Sequence, residues 1–220
     1  MGKHKGKIIA AAVIVAILAG AWLFGGNYNK YNKNSKNESE PPTSATKQPP
    51  EPTDRYNTAP VPEGKPNPVE PQDVTVGDDS FLVTLSVSCQ MILDNMNLLD
   101  KEKHELVPSD GVILPETQVI AYEGESVFNI LQRELRRAQI HMEFRNTPIY
   151  NSAYIMGIGN LYEFDVGELS GWMYKVNGWF PNYGCSRYRL QPGDVIEWHY
   201  TCDLGRDLGE NWLGGGQLDE

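Results

Sequence analysis

The amino-acid sequence predicts an α+β fold in which a mixed sheet packs on one main helix. Residues 81–89 alternate between apolar and polar side chains, and residues 195–202 do so again near the end of the chain. Between them, apolar residues recur at intervals of three and four after Ser126. Alternation is typical of a half-buried strand, and recurrence at three and four residues is typical of an amphipathic helix. The sequence therefore predicts one main helix with strands before and after it in the chain.

The first strand is predicted over residues 81–89, with the apolar side chains on one face and the polar ones on the other. Val112 to Leu114 and Val119 to Tyr122 are predicted as two further short strands around Pro115. The apolar face of the first strand consists of Phe81, Val83, Leu85, Val87 and Cys89.

The helix is predicted to begin at Ser126, a residue type that is favoured at the N-cap. It should end near Gln139 and be followed by an extended piece, Ile140 to Phe144. In residues 149–167 the apolar side chains follow neither the period of a strand nor that of a helix, so an irregular crossing that packs on one side is predicted there. The apolar stripe of the helix consists of Val127, Ile130, Leu131, Leu135 and Ala138.

A hairpin is predicted at Asn177-Gly178, since both residues tolerate the positive φ that a two-residue type I′ turn needs. The strand Gly171 to Val176 enters this turn. Pro181 and Gly184 interrupt the return, which predicts a loop rather than a long second strand. A turn at residues 192–194 then leads into the last strand.

Eight aromatic residues lie between Trp172 and Tyr200. Alternation places Trp172, Tyr174, Trp198 and Tyr200 in the core. The other four lie in or beside the loop, where clustered rings are typical of an interaction site. Flat rings stack equally well on a corrin, a sugar or a proline-rich peptide, so the ligand class stays open. The predicted ligand-binding residues are Asn177, Gly178, Trp179, Phe180, Tyr183 and Tyr188.

A proline-rich segment separates the folded module from the N-terminus. Ten of the 15 prolines lie between Pro41 and Pro71. Residues 25–79 contain almost no large aliphatic side chains, so they are predicted to be a disordered linker. The module is predicted over residues 80–210 and a flexible tail over 211–220.

The first 24 residues predict the cellular location. A basic tip, residues 1–7, precedes the uncharged apolar residues 8–24. Positive charge stays in the cytoplasm, so the rest of the chain should lie outside the cell. We expect residues 8–24 to be retained as a transmembrane anchor in the cell membrane. The alternative is a signal peptide cleaved after Ala21, which would make the protein secreted.

The net charge of −10 argues against nucleic acid as a partner. Residues 81–220 carry ten Lys and Arg against twenty Asp and Glu, so the module holds the whole acidic excess. Phosphate backbones bind basic surfaces instead.

Three cysteines, Cys89, Cys185 and Cys202, allow one intrachain disulfide at most. If the first and last strands lie side by side and parallel, as in a β-grasp sheet around one helix, Cys89 and Cys202 share one face at the same end. A Cys89–Cys202 disulfide is therefore predicted, while a Cys185–Cys202 pair stays open.

No enzymatic activity, metal site or required cofactor is predicted. A thiol nucleophile would need Cys185 beside His141 or His199, and nothing in the sequence brings them together. The acidic side chains within residues 203–210 could bind Ca²⁺ through oxygen atoms, but their spacing matches no EF-hand loop. A solvated acidic tail is the preferred interpretation.

Two motifs, Leu169-Ser-Gly-Trp-Met-Tyr-Lys-Val-Asn-Gly178 and Leu190-Gln-Pro-Gly-Asp-Val-Ile-Glu-Trp198, suggest a family. With the helix opening Glu125-Ser-Val-Phe128, they make residues 81–209 resemble the transcobalamin C-terminal-like domain of Gram-positive surface proteins. The resemblance implies a β-grasp-like fold. It also implies a corrinoid ligand, because the equivalent domain of vertebrate cobalamin carriers closes over one face of the bound corrinoid.

The sequence thus predicts an extracellular, membrane-tethered ligand-binding module. Cobalamin or another corrinoid is the ligand that the resemblance implies. The alternative is a cell-surface interaction or adhesion module that recognises a polymer or a partner protein.

Overall fold

A computed structural model describes Tyr56, Thr58 and residues 60–209, which all belong to one compact unit. The predicted basic tip, apolar segment and tail, together with most of the predicted linker, lie outside the described residues. None of the helices in the described part is long and apolar enough to cross a membrane.

Seven strands and two α-helices make up the module. The helices are α1 (Gln90–Leu93) and α2 (Val127–Arg137), and short 3-10 turns cover Pro71–Asp73, Lys101–Leu106, Cys185–Arg187 and Arg206–Leu208. The strands are β1 (Ser80–Ser88), β2 (Val112–Tyr122), β3 (Met142–Thr147), β4 (Ser152–Ile158), β5 (Leu161–Tyr162), β6 (Gly171–Val176) and β7 (Val195–Thr201).

The larger sheet has the strand order β2-β1-β7-β6. Its two central strands, β1 and β7, run parallel, with Thr84 opposite Val195 and Ser88 opposite His199. Both outer pairs are antiparallel, so the sheet is mixed as predicted. The inward side chains of β1 and β7 share one buried core with the apolar stripe of α2. This arrangement confirms the α+β, β-grasp-like fold class.

Helix α2 begins and ends where the sequence predicts. The Ser126 hydroxyl accepts a hydrogen bond from the Asn129 N–H at 3.3 Å, and the Asn129 side-chain oxygen accepts one from the Ser126 N–H at 3.0 Å. This reciprocal capping box satisfies two backbone donors at the first turn. At the other end Gln139 adopts a φ of 57°, which turns the chain out of the helix.

Strand β2 is continuous through Pro115, so the prediction of two separate short strands is wrong. Proline has no N–H to donate, but β2 lies at the edge of the sheet, where one side of the strand needs no partner. The irregularity appears instead as shifts of register between Leu85 and Ser88 on the neighbouring strand.

A second sheet, with the order β3-β4-β5, replaces the irregular crossing predicted for residues 149–167. Burial alternates along residues 153–157 of β4, but the more exposed positions hold Tyr154 and Met156, so the sequence shows no alternation of apolar and polar residues. Gly157 also weakens the strand signal, but a Cβ there would lie 2.8 Å from the Tyr162 ring. The glycine therefore lets this ring pack directly on the strand.

The structure does not contain the predicted Cys89–Cys202 disulfide, and all three cysteines are free thiols. The parallel register ends with Ser88 opposite His199, so Cys202 lies beyond the paired part of β7. At Cys89 the chain turns into α1 and leaves the direction of the strand. The Sγ of Cys202 instead contacts the Met91 carbonyl oxygen at 3.5 Å.

The native thiols are expected to resist alkylation by iodoacetamide at pH 8. Burial raises the pKa of Cys89 to about 11 and those of Cys185 and Cys202 to about 12, and the reactive thiolate is scarce below these values. In denaturant without reductant, mass spectrometry should find all three cysteines alkylated. A single alkylated cysteine per chain would instead indicate a disulfide.

Residues 60–79, predicted to belong to the disordered linker, lie ordered along the module. The Val69 N–H donates to the Arg187 carbonyl at 2.9 Å, and the Gly77 N–H donates to the Glu123 carbonyl at 2.9 Å. The segment makes little core of its own, but the module supplies its partners. We call residues 60–73, together with Tyr56 and Thr58, the strap.

Candidate functional site

The predicted hairpin turn is present at Asn177-Gly178, with φ values of 52° and 74°. Val176 and Trp179 exchange backbone hydrogen bonds of 2.8 and 3.0 Å across it. The Asn177 side chain donates to Asp194 Oδ1 at 2.8 Å and accepts from the Val195 N–H at 2.9 Å. These two predicted site residues therefore build the turn and join it to the last strand.

Four of the eight aromatic residues pack in the core, as predicted. Trp172 meets Tyr200 edge to face at 5.3 Å between ring centroids, and Tyr174 stacks on Trp198 at 5.4 Å. All four are at least 92% buried. Their contribution is to stability, because aromatic pairs of this kind add to the free energy of burial.

The predicted ligand-binding rings are mostly buried. Phe180, Tyr183 and Tyr188 are 7%, 7% and 2% exposed, and Trp179 is half-buried. Tyr183 stacks on Tyr188 at 6.2 Å, and Trp179 meets Tyr183 edge to face at 6.0 Å. Three rings thus form one row, while Phe180 lies apart beneath the Lys175 ammonium at 5.2 Å.

The strap lies over this row of rings. The Tyr183 hydroxyl donates to the Pro66 carbonyl at 2.7 Å, and the Asn182 side chain donates to the Pro60 carbonyl at 3.1 Å. The Lys65 ammonium stands 5.4 Å from the centre of the Trp179 ring. The surface that was predicted to meet a ligand is therefore in contact with the chain's own proline-rich segment.

The buried side chain of Arg187 connects the module to the strap. Its side chain is 1% exposed, and Nη2 donates to Glu70 Oε1 at 2.7 Å. Nη1 donates to Thr58 Oγ1 at 2.6 Å, and the guanidinium lies 5.3 Å from the Tyr56 ring centre. A buried arginine needs charged and polar partners, and the strap supplies several of them.

A cavity of about 620 Å³ opens beside the strap, between the start of α2, the β3–β4 turn and the 3-10 turn at Cys185–Arg187. We call it the Arg189 cavity. The buried Nε of Arg189 has no hydrogen-bond partner among the described residues. Burial lowers the pKa of Arg189, and the charge of nearby Glu70 offsets part of that shift. The polar lining comes from Gln72, Ser126, Asn129, Asn146, Thr147, Asn151, Ser152, Ser186 and Arg189.

Two serines hold the wall of this cavity together. The Ser186 N–H donates to Ser152 Oγ at 3.2 Å, and the Ala153 N–H donates to Ser186 Oγ at 3.0 Å. This Ser152–Ser186 clasp joins β4 to the 3-10 turn that carries Arg187. The same two hydrogen bonds therefore support the wall of the cavity and the position of Arg187, which binds the strap.

None of the six predicted ligand-binding residues lines the Arg189 cavity. The cavity is assembled from segments as far apart as Pro71 and Arg189, and no local pattern in the sequence relates them. The clearest local signal was Arg189 itself, a charged residue between the apolar Tyr188 and Leu190. Sequence reasoning found the neighbouring rings but missed the arginine.

The structure does not assemble a thiol catalytic site in the described part of the chain. Cys185 is buried with its Sγ 3.5 Å from the Ala153 carbonyl oxygen, and no hydrogen bond joins it to either candidate histidine. Burial and the charge of Lys175 lower the pKa of His199, on β7. His141 instead faces the ring of Tyr162 at 6.4 Å.

The acidic residues considered for Ca²⁺ have other partners. Asp203 pairs with Arg206, and Asp207 accepts hydrogen bonds from Thr201 Oγ1 at 2.5 Å and the Cys202 N–H at 2.7 Å. They stabilise the turn after β7. Glu210 lies outside the described residues, and no metal-binding cluster occurs among those that are described.

Residues 124–202 match the domain of unknown function DUF4430. The predicted resemblance to the transcobalamin C-terminal-like family is confirmed. The DUF4430 match begins just before the cap of α2 and ends just after β7, so it includes Arg187 and Arg189 but not the strap.

Two solved structures are similar to the chain at low identity. Haptocorrin in complex with Cbi is 14% identical over 57% of this chain and 26% of its own, with a TM-score of 0.42, so the alignment spans about a quarter of that protein. A structure from Ruminococcus gnavus, described as a "putative metal binding protein", is 13% identical over 55% of this chain and 96% of its own, with a TM-score of 0.34. A search of curated proteins found no match.

Proposed function

We propose that this protein is a membrane-tethered, extracellular binding module whose ligand occupies the Arg189 cavity. The observation that carries the proposal is a cavity of about 620 Å³ that contains an arginine with an unpartnered, buried Nε. Small-molecule sites commonly measure roughly 300–1,000 Å³ and contain a few well-placed polar groups. The tether is the apolar segment of residues 8–24 with its basic flank.

The lining favours a ligand rich in hydrogen-bond acceptors. Arginine offers five N–H donors, and each asparagine offers two more beside one acceptor. A carboxylate, phosphate or amide carbonyl would accept charged hydrogen bonds from the guanidinium of Arg189, which lines the cavity.

A corrinoid is the first ligand to test, because the family resemblance implies it. The amide side chains and phosphodiester of cobalamin have the chemistry that this lining favours. Cobalamin is larger than the cavity, so the cavity would hold one edge of the molecule. Asn146 is exposed and lines the cavity, so it would meet amide groups of the ligand.

The proposal is binding rather than catalysis. The three thiols are protonated and mostly buried at neutral pH, and none has an activating base. The polar groups of the cavity are amides, hydroxyls and one guanidinium, which bind and orient a ligand but are poor general bases at pH 7.

The test is a titration of the purified full chain with cobalamin, followed by tryptophan fluorescence and corrin absorption. Arg189→Gln is expected to weaken binding at least tenfold, which corresponds to about 1.4 kcal/mol. Arg136→Gln removes the same charge from an exposed position of α2 and should leave the affinity unchanged. No signal up to high micromolar cobalamin would remove the corrinoid, and an equal loss in both variants would remove the cavity as its site.

A further inference from the structure

We propose that the groove beneath the strap is a docking surface for an extended, proline-rich peptide that carries a glutamate, and that the strap is its built-in occupant. This groove consists of Trp179, Asn182, Tyr183 and Arg187, none of which lines the Arg189 cavity, although Pro71 and Gln72 of the strap do. The inference goes beyond the small-molecule function proposed above, because its partner is a segment of protein.

The groove forms hydrogen bonds with the backbone of the strap at three positions. Asn182 and Tyr183 donate to the carbonyl oxygens of Pro60 and Pro66, at 3.1 and 2.7 Å. The Arg187 carbonyl accepts from the Val69 N–H at 2.9 Å. Main-chain hydrogen bonds of this kind supply affinity for an extended chain with little dependence on its side chains.

One side chain of the strap is recognised specifically. The Glu70 carboxylate accepts a 2.7 Å hydrogen bond from Arg187 and a second hydrogen bond from the Asn151 side chain. Arg189 adds a further positive charge nearby. A charged, half-buried carboxylate at this position gives selectivity, since a neutral residue would lose the charged hydrogen bond that Glu70 accepts from Arg187.

The remaining chemistry of the groove suits proline. Trp179, Tyr183 and Tyr188 form a row of rings, and the strap over them contains four prolines between Pro60 and Pro68. Aromatic-lined grooves bind proline-rich segments because these are already extended and lose little conformational entropy. The groove and its occupant therefore match in hydrogen bonding and charge.

The strap can be exchanged for a peptide in trans. None of residues 60–73 is buried, whereas Tyr183, Arg187 and Tyr188 beneath them are. A segment without a buried residue can open while the rest of the fold stays intact, and the Glu70–Arg187 ion pair opposes this opening. The covalent link gives the strap a high effective concentration, so it competes with any free peptide.

The experiment measures binding of a fluorescein-labelled peptide, residues 56–73, to the purified full chain by anisotropy. Glu70→Gln in the chain weakens its own strap, so this variant should bind the peptide at least tenfold more tightly than the unaltered chain does. Glu63→Gln is the matched control, because Glu63 is exposed on the same strap and should not change the affinity. A peptide with Glu70→Gln should bind the variant at least tenfold more weakly.

Equal affinities for the unaltered chain and the Glu70→Gln chain would overturn the proposal, as would no binding by a Glu70→Gln chain with native near-UV circular dichroism. If Glu70→Gln unfolds the chain, Val69→Pro replaces it, since proline removes the N–H that donates to Arg187. The same two criteria then apply. Failure of the cobalamin titration would not affect this result, because the peptide experiment contains no corrinoid.

Discussion

Arg187→Met is expected to lower the free energy of unfolding by about 3 kcal/mol. The side chain is 1% exposed, and it binds Glu70 and Thr58 on the strap. Removal of one partner of a buried ion pair costs roughly 3–5 kcal/mol, and the lower end applies because the Glu70 side chain keeps 20% exposure. Methionine fills most of the same volume, so the loss reports the lost charge and hydrogen bonds. Urea unfolding followed by tryptophan fluorescence measures it.

The control is Arg136→Met, which removes an exposed arginine from α2 and should change the stability by no more than about 0.5 kcal/mol. A double-mutant cycle with Glu70→Gln isolates the ion pair. If Arg187 acts through Glu70, the two losses are less than additive by about 1 kcal/mol or more. Additive losses would mean that Arg187 stabilises the module through contacts other than Glu70.

The sequence predicted the elements whose signals are local. The alternation in β1, the turn at Asn177-Gly178 and the capping box at Ser126 each depend on residues within a few positions of one another. The parallel pairing of β1 with β7 followed from these strands and from the β-grasp arrangement. A strand or helix leaves a period in the sequence wherever one of its faces is buried and the opposite face meets solvent.

The elements that were missed depend on distant partners. Strand β4 carries Tyr154 and Met156 at its more exposed positions, so no alternation of apolar and polar residues marks it. The composition of the strap predicts disorder. Its order depends on Tyr183 and Arg187, which lie more than 100 residues away in the sequence and leave no local signal. The Arg189 cavity exists only where several such segments meet. The aromatic residues were correctly singled out, but the sequence could not show that the chain's own proline-rich segment lies over them.

Gly184→Ala is expected to lower the stability by about 2 kcal/mol, within the range of roughly 1–3 kcal/mol that overpacking of a core costs. Gly184 precedes the 3-10 turn Cys185–Arg187, and a methyl group there would overlap the Oγ and Cβ of Ser152. Its φ of −72° suits any residue, so the cost comes from the overlap and not from the backbone. Urea unfolding measures the loss.

The overlap acts on both proposed sites, because Ser152 must move and break the clasp with Ser186. Arg187 follows Ser186 directly, so displacement of the turn should also weaken the hold on Glu70. Ser152→Gly is the compensating change: it removes the side chain that the methyl group meets. The double variant should therefore be more stable than Gly184→Ala alone, although it lacks the clasp. No recovery in the double variant would show that the loss of stability in Gly184→Ala does not come from the close approach of Gly184 to Ser152 on β4.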